Sequence, residues 1–178
     1  MMKWGDLFTA RQKVALVTLA RLARERADKV GQASQVGQAS SLSQAVRAAM
    51  AVVVNRLADY MSTICVWHIP KQLIGHTFGR QALPVTWDFC EAQPMGDGPG
   101  NLDGAVDWVA TVMEAWPRQA GSLSHRGQIH QADATQHPLP DETAQVWFTD
   151  PPYYDAVPYA DLSDFFLVWL KRALPGHP

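Results

Sequence analysis

The chain has 178 residues and a formal net charge of −2, with 47% hydrophobic and 18% charged residues. That length suits about one domain, the apolar content excludes wholesale disorder, and the near-neutral charge excludes a simple polycation that coats nucleic acid. The charge is uneven: residues 1–80 carry 11 Lys/Arg and 4 Asp/Glu, a net of +7, whereas residues 81–178 carry 4 and 13, a net of −9.

Nothing at the N-terminus has the apolar core of a signal peptide. The longest apolar stretch, near Ala48 to Val54, is far short of the ~18 residues a membrane span needs. A soluble, cytoplasmic protein with no membrane partner is expected. Cys65 and Cys90 lack the paired spacing of a disulfide framework or a structural zinc site. They are predicted to be two buried thiols, and no metal is expected.

The first predicted element is an amphipathic, basic helix from the N-cap Thr9 to about Val30, with Val14, Val17, Leu19 and Leu22 as apolar positions and Gly31 as its stop. Residues 31–40 repeat Gly-Gln-Ala-Ser and read as a flexible connector. Ser41 or Ser43 then caps a second helix to about Cys65, with Ala49, Val52, Val53, Leu57 and Tyr60 on its apolar face. Two long helices joined this way predict a helical hairpin over residues 1–68.

Residues 69–125 are predicted as a Pro/Gly-rich irregular segment anchored by Phe78, Trp87 and Phe89, followed by a third helix from Asp103 to Trp116 that Pro117 closes. Residues 126–178 hold two strand candidates, Ile129–Gln131 and Gln145–Thr149. The second is apolar and stops sharply at Asp150-Pro151-Pro152-Tyr153. A last amphipathic helix is predicted from Asp161 to Leu174, with Leu162, Phe165, Phe166 and Trp169 on or near one face.

The Asp-Pro-Pro-Tyr tetrapeptide carries the chemistry. A buried strand delivers its C-terminal end to the crevice where open α/β sheets bind ligands. Two consecutive prolines fix φ and remove two backbone donors, so nearby carbonyls become rigid acceptors. The Asp150 carboxylate and such a carbonyl form an acceptor pair suited to an exocyclic amino group. Tyr153 offers a flat face for a planar heterocycle, so an amine-bearing base flipped out of a nucleic acid fits.

The run Thr149 to Arg172, TDPPYYDAVPYADLSDFFLVWLKR, resembles a family of adenine-specific DNA methylases that carry a zinc ribbon and an N-terminal domain of unknown function. Phe78 to Pro94, FGRQALPVTWDFCEAQP, and the helical stretch RLADYMSTICVW ending at Trp67 are similar to that family too. The resemblance implies methyl transfer from S-adenosylmethionine to adenine N6 of DNA, with cytosine N4 as the lesser alternative. It assigns amine binding to Asp150 and the Pro151 carbonyl, loop shape to Pro152 and base stacking to Tyr153. Asp133 would meet the adenine of the cofactor.

The implied fold is α/β: a partial Rossmann-like methyltransferase sheet preceded by the helical hairpin. Neither the family's Gly-rich cofactor loop nor its zinc ribbon is present in this sequence. Gly96-Asp97-Gly98-Pro99-Gly100 does not follow an apolar strand and is no substitute. The chain is therefore expected to be an internal fragment with an incomplete sheet, inactive alone, whose partners are DNA and the missing portions of the methylase as a separate chain. Two alternatives stand beside this reading: a non-catalytic DNA- or protein-binding remnant, and a methyltransferase acting on RNA or a protein amide.

Overall fold

The computed structural model describes residues 3–33, 39–120, 132–133, 135–136, 139–154 and 156–176. Among the described residues four α-helices carry the fold: α1 (Ala10–Ala33), α2 (Ala39–Tyr60), α3 (Leu102–Ala120) and α4 (Tyr159–Ala173). One short antiparallel pair, β1 (Trp67–His68) and β2 (Leu73–Ile74), sits between α2 and α3, with Trp67 opposite Ile74 and His68 opposite Leu73.

Thr9 caps α1 as the sequence suggests. The Thr9 N–H donates to Gln12 Oε1 at 2.8 Å and the Gln12 N–H donates to Thr9 Oγ1 at 3.2 Å. This reciprocal pair satisfies two donors that the first turn leaves open, an arrangement worth about 1 kcal/mol. Gly31 does not stop the helix, which runs two residues past it to Ala33. α2 likewise starts at Ala39, before either predicted cap. The expected connector is thus shortened from both sides, and residues 34–38 lie outside the described residues.

The buried Ser43 hydroxyl does a different job from capping: it donates to the Ala27 carbonyl of α1 at 2.9 Å. Arg47 of α2 pairs with Asp28 of α1 on the same side. At the far end of the pair, the Thr63 N–H reaches the Leu7 carbonyl at 2.7 Å. These ties set α1 and α2 antiparallel along their length.

α2 ends at Tyr60, five residues before the predicted Cys65, because its last carbonyls are taken by a returning loop. The Thr77 N–H donates to the Asp59 carbonyl at 2.8 Å, and the Thr77 hydroxyl lies 2.9 Å from Ser62 Oγ. Both side chains are fully buried, so their polar atoms need these partners. Cys65 is buried and Cys90 half-buried, both as free thiols. Burial above all, then the neighbouring Cys65, pushes the Cys90 thiol up.

The core forms where the ends of the chain meet. Phe165 and Trp169 lie one turn apart on α4 and are buried with Ala173. Phe165 stacks on Phe8 at 5.7 Å and meets Trp4 and Phe78 edge-on at 5.8 and 5.1 Å. Leu16, Leu57 and Met61 continue this core along α1 and α2. Of the three predicted anchors in the irregular segment, Phe78 alone enters it. Trp87 is fully exposed and Phe89 is exposed at the surface. Aromatic character marks these residues as apolar but does not decide what covers them.

α3 begins at Leu102, where the Asn101 side chain accepts from the Gly104 N–H at 2.9 Å, and it continues through Pro117 to Ala120. α4 spans nearly the predicted residues. Gln145–Thr149 is not in a strand: its backbone is irregular and its side chains are exposed. Ile129–Gln131 lies outside the described residues. No helix among the described residues is long and apolar enough to cross a membrane.

One loop is clipped to α1 by charge. Glu91 accepts from the Thr9 hydroxyl at 2.8 Å and from Arg11 Nε and Nη2 at 3.0 and 2.9 Å. The Thr9 hydrogen bond, with Arg11 adding to it, holds the Glu91 carboxyl below its ordinary range. A carboxyl lowered in the folded state stabilises the fold above its unfolded pKa of about 4.3 and loses that contribution as the pH falls through its folded value. Glu91→Gln is therefore expected to destabilise the chain by no more than about 1 kcal/mol at pH 7. At about pH 3 the variant and the unsubstituted chain should converge in urea unfolding. A gap that persists undiminished in acid would contradict this role.

Candidate functional site

The Asp-Pro-Pro-Tyr segment is positioned from one side. Downstream, the Ala156 N–H donates to the Tyr153 carbonyl at 3.3 Å and the Tyr159 N–H to the Val157 carbonyl at 2.9 Å. The first turn of α4 then closes with the Leu162 N–H on the Pro158 carbonyl. Because Phe165 and Trp169 fix α4 in the core, the loop is tethered within two helical turns of that anchor. Upstream, Val146 and Phe148 stand almost fully in solvent.

Asp150, Pro151, Pro152 and Tyr153 are all exposed. Tyr153 is 61% and Tyr154 99% accessible, so both rings present free faces. The two prolines have no N–H to donate, and the Asp150 carboxylate is accessible. The segment thus offers a carboxylate, carbonyls free of local N–H donors and an aromatic ring at an open surface.

Asp133 is also exposed, and one of its carboxylate oxygens is occupied. Oδ1 accepts the Thr135 N–H at 2.8 Å and the Thr135 hydroxyl at 2.7 Å. These bonds hold the Asp133 carboxyl below its ordinary range, the backbone N–H contributing most. This is the geometry of an Asx turn.

A second constellation was not signalled by any motif. Arg56 of α2 lies over the Trp108 ring of α3, its Cζ 4.3 Å from the ring centroid, and 5.5 Å from the Tyr60 centroid. Tyr60 in turn packs on the His76 ring at 4.9 Å. Asp59 Oδ2 sits 2.6 Å from His76 Nδ1, and Asp59 Oδ1 accepts the Thr77 N–H at 3.2 Å. Arg56 and Trp108 are 52 positions apart and Asp59 and His76 are 17 apart, so no local spacing could reveal either pair. Among the described residues no group of three or more His, Cys, Asp or Glu side chains is placed to hold a metal ion.

Compared with protein-family models, with curated proteins and with solved structures, the chain matches none. Its functional reading rests on its own residues.

Proposed function

We propose that this chain carries the base-handling part of a DNA amino-methyltransferase that acts on adenine N6, within an α/β sheet completed by residues outside this chain. The observation that carries the reading is the accessible Asp150-Pro151-Pro152-Tyr153 segment, tethered to the core by α4. The three stretches that resemble the methylase family also meet in one core: Leu57 and Met61 from the first, Phe78 from the second and Phe165 from the third.

Asp150 and the Pro151 carbonyl accept the two N–H bonds of an adenine amino group. That holds the nitrogen in one orientation and raises electron density on it. Tyr153 stacks on the extruded base. Such catalysis works by positioning and electrostatics rather than by covalent chemistry on the protein.

The described residues do not fit S-adenosylmethionine unaided. No glycine-rich turn follows a strand, Pro99 interrupts the one glycine-rich segment, and Asp133 Oδ1 is taken by Thr135. The methyl donor is therefore held by another segment or chain. Titration calorimetry of this chain alone is expected to show no micromolar binding of S-adenosylmethionine. Co-expression with the neighbouring coding sequence should restore labelled-methyl transfer to DNA adenine. Transfer to RNA or protein in place of DNA would overturn the substrate, and micromolar cofactor binding by the isolated chain would overturn the division of labour.

A further inference from the structure

A half-open cleft that holds an arginine and a histidine lies away from Asp150. A cleft of about 290 Å³ opens between α2, β2 and the start of α3, and Arg56, Tyr60, His76, Gly100 and Asn101 line it. No carboxylate lines it. Among the described residues no carboxylate pairs with Arg56 either, although Arg11, Arg21 and Arg47 each have one. A half-buried guanidinium kept without an anion, and braced by Trp108 and Tyr60, is a preorganised donor. An arginine beside aromatic rings keeps its N–H groups for hydrogen bonding, and Arg56, with Cζ 4.3 Å from the Trp108 centroid, lines the cleft as a donor for an oxyanion.

His76 supplies the second group. Asp59 engages Nδ1, which leaves Nε2 as the free ring nitrogen; with Nδ1–H on Asp59, Nε2 donates to an oxyanion in the imidazolium form. One ring, Tyr60, touches both Arg56 and His76. The Asn101 amide is partly engaged: one Nδ2–H donates to the Gly96 carbonyl at 2.8 Å and Oδ1 accepts from Gly104. The wall at Gly100 must stay bare. Its φ is +80°, and a Cβ there would lie 3.2 Å from Ala92 Cβ and 3.4 Å from Tyr60 Cβ.

These features choose between ligands. A planar carboxylate is met by an arginine fork alone, whereas a tetrahedral oxyanion also uses a second polar group on another side. The volume is at the low end for small-molecule sites, so the cleft admits one such group with a short adjoining fragment. The geometry points to a phosphate-ester site at Arg56 and His76. The phosphate comes either from a free nucleotide or from a nucleic-acid backbone. The proposal stands independently of the role given to Asp150.

The test is a titration of the isotope-labelled full chain followed by nitrogen–proton spectra. With inorganic phosphate, the Arg56 Nε–H and Trp108 indole N–H signals should shift together and saturate. Arg56→Met should weaken binding at least about tenfold, the loss expected for a charge-assisted pair. Arg56→Lys, which keeps the charge but not the fork, should fall between. Asp150→Ala should leave the titration unchanged. Deoxyadenosine monophosphate and an oligonucleotide without terminal phosphates then separate the sources: saturation by the first assigns a monoester, and by the second a backbone diester. Shifts that rise linearly across all surface cations would overturn the site. So would a folded Arg56→Met variant that binds phosphate as tightly as the unsubstituted chain.

Discussion

Phe165→Ala is expected to destabilise the chain by about 3–5 kcal/mol. Phe165 is fully buried and contacts the rings of Trp4, Phe8, Phe78 and Phe166. Its removal leaves a cavity whose walls come from three separate stretches of chain, which cannot all relax inward at once. Each lost ring pair adds to the transfer cost. Domains of ordinary stability have about 5–15 kcal/mol in total, so the loss is a large share. For a chain of this size it corresponds to a fall in Tm of about 6–20 °C. Urea or thermal unfolding followed by helical circular dichroism measures it. A loss under about 1 kcal/mol would mean that α4 does not depend on this core.

Under the proposed function, Asp150→Ala is expected to lower methyl transfer to adenine by about 10²–10³-fold, the range found when one preorganised hydrogen-bonding group is removed from an active site. The measurement needs this chain together with the segment that binds the methyl donor, and a labelled-methyl assay on DNA. Asp150 is exposed, so its replacement leaves the core untouched and stability should stay within about 0.5 kcal/mol. Loss of transfer with unchanged unfolding separates a chemical role from a structural one. Activity within about threefold of the unsubstituted protein would remove Asp150 from the mechanism.

Much of the helical architecture is legible in the residues themselves. The spacing of Phe165 and Trp169 places both on one face of α4, and Thr9 with Gln12 three positions on marks the start of α1. Helix ends were less legible. Gly31 and Pro117 have low helix propensity, yet each is carried inside a helix, because propensity alone is a weak determinant of where a helix ends. Trp87 and Phe89 show the limit of composition: an aromatic residue favours burial, but partners distant in sequence decide it. The Asp-Pro-Pro-Tyr segment could be singled out from the sequence because its residues are contiguous. The Arg56–Trp108 and Asp59–His76 pairs could not, because each joins elements that only tertiary packing brings together.

The aromatic core has a consequence for the order of events during synthesis. Trp4 and Phe8 emerge from the ribosome well before the ring they pack against, Phe165, which is made some 157 residues after Phe8. At typical elongation rates of about 5–20 residues per second, these apolar side chains wait roughly 8–30 s for their partner. During that interval α1 and α2 can associate through Ser43 and Arg47, while the apolar end of the pair stays open. Closure is therefore a late, long-range step, and the nascent chain passes through a stage that holdase chaperones are suited to shield.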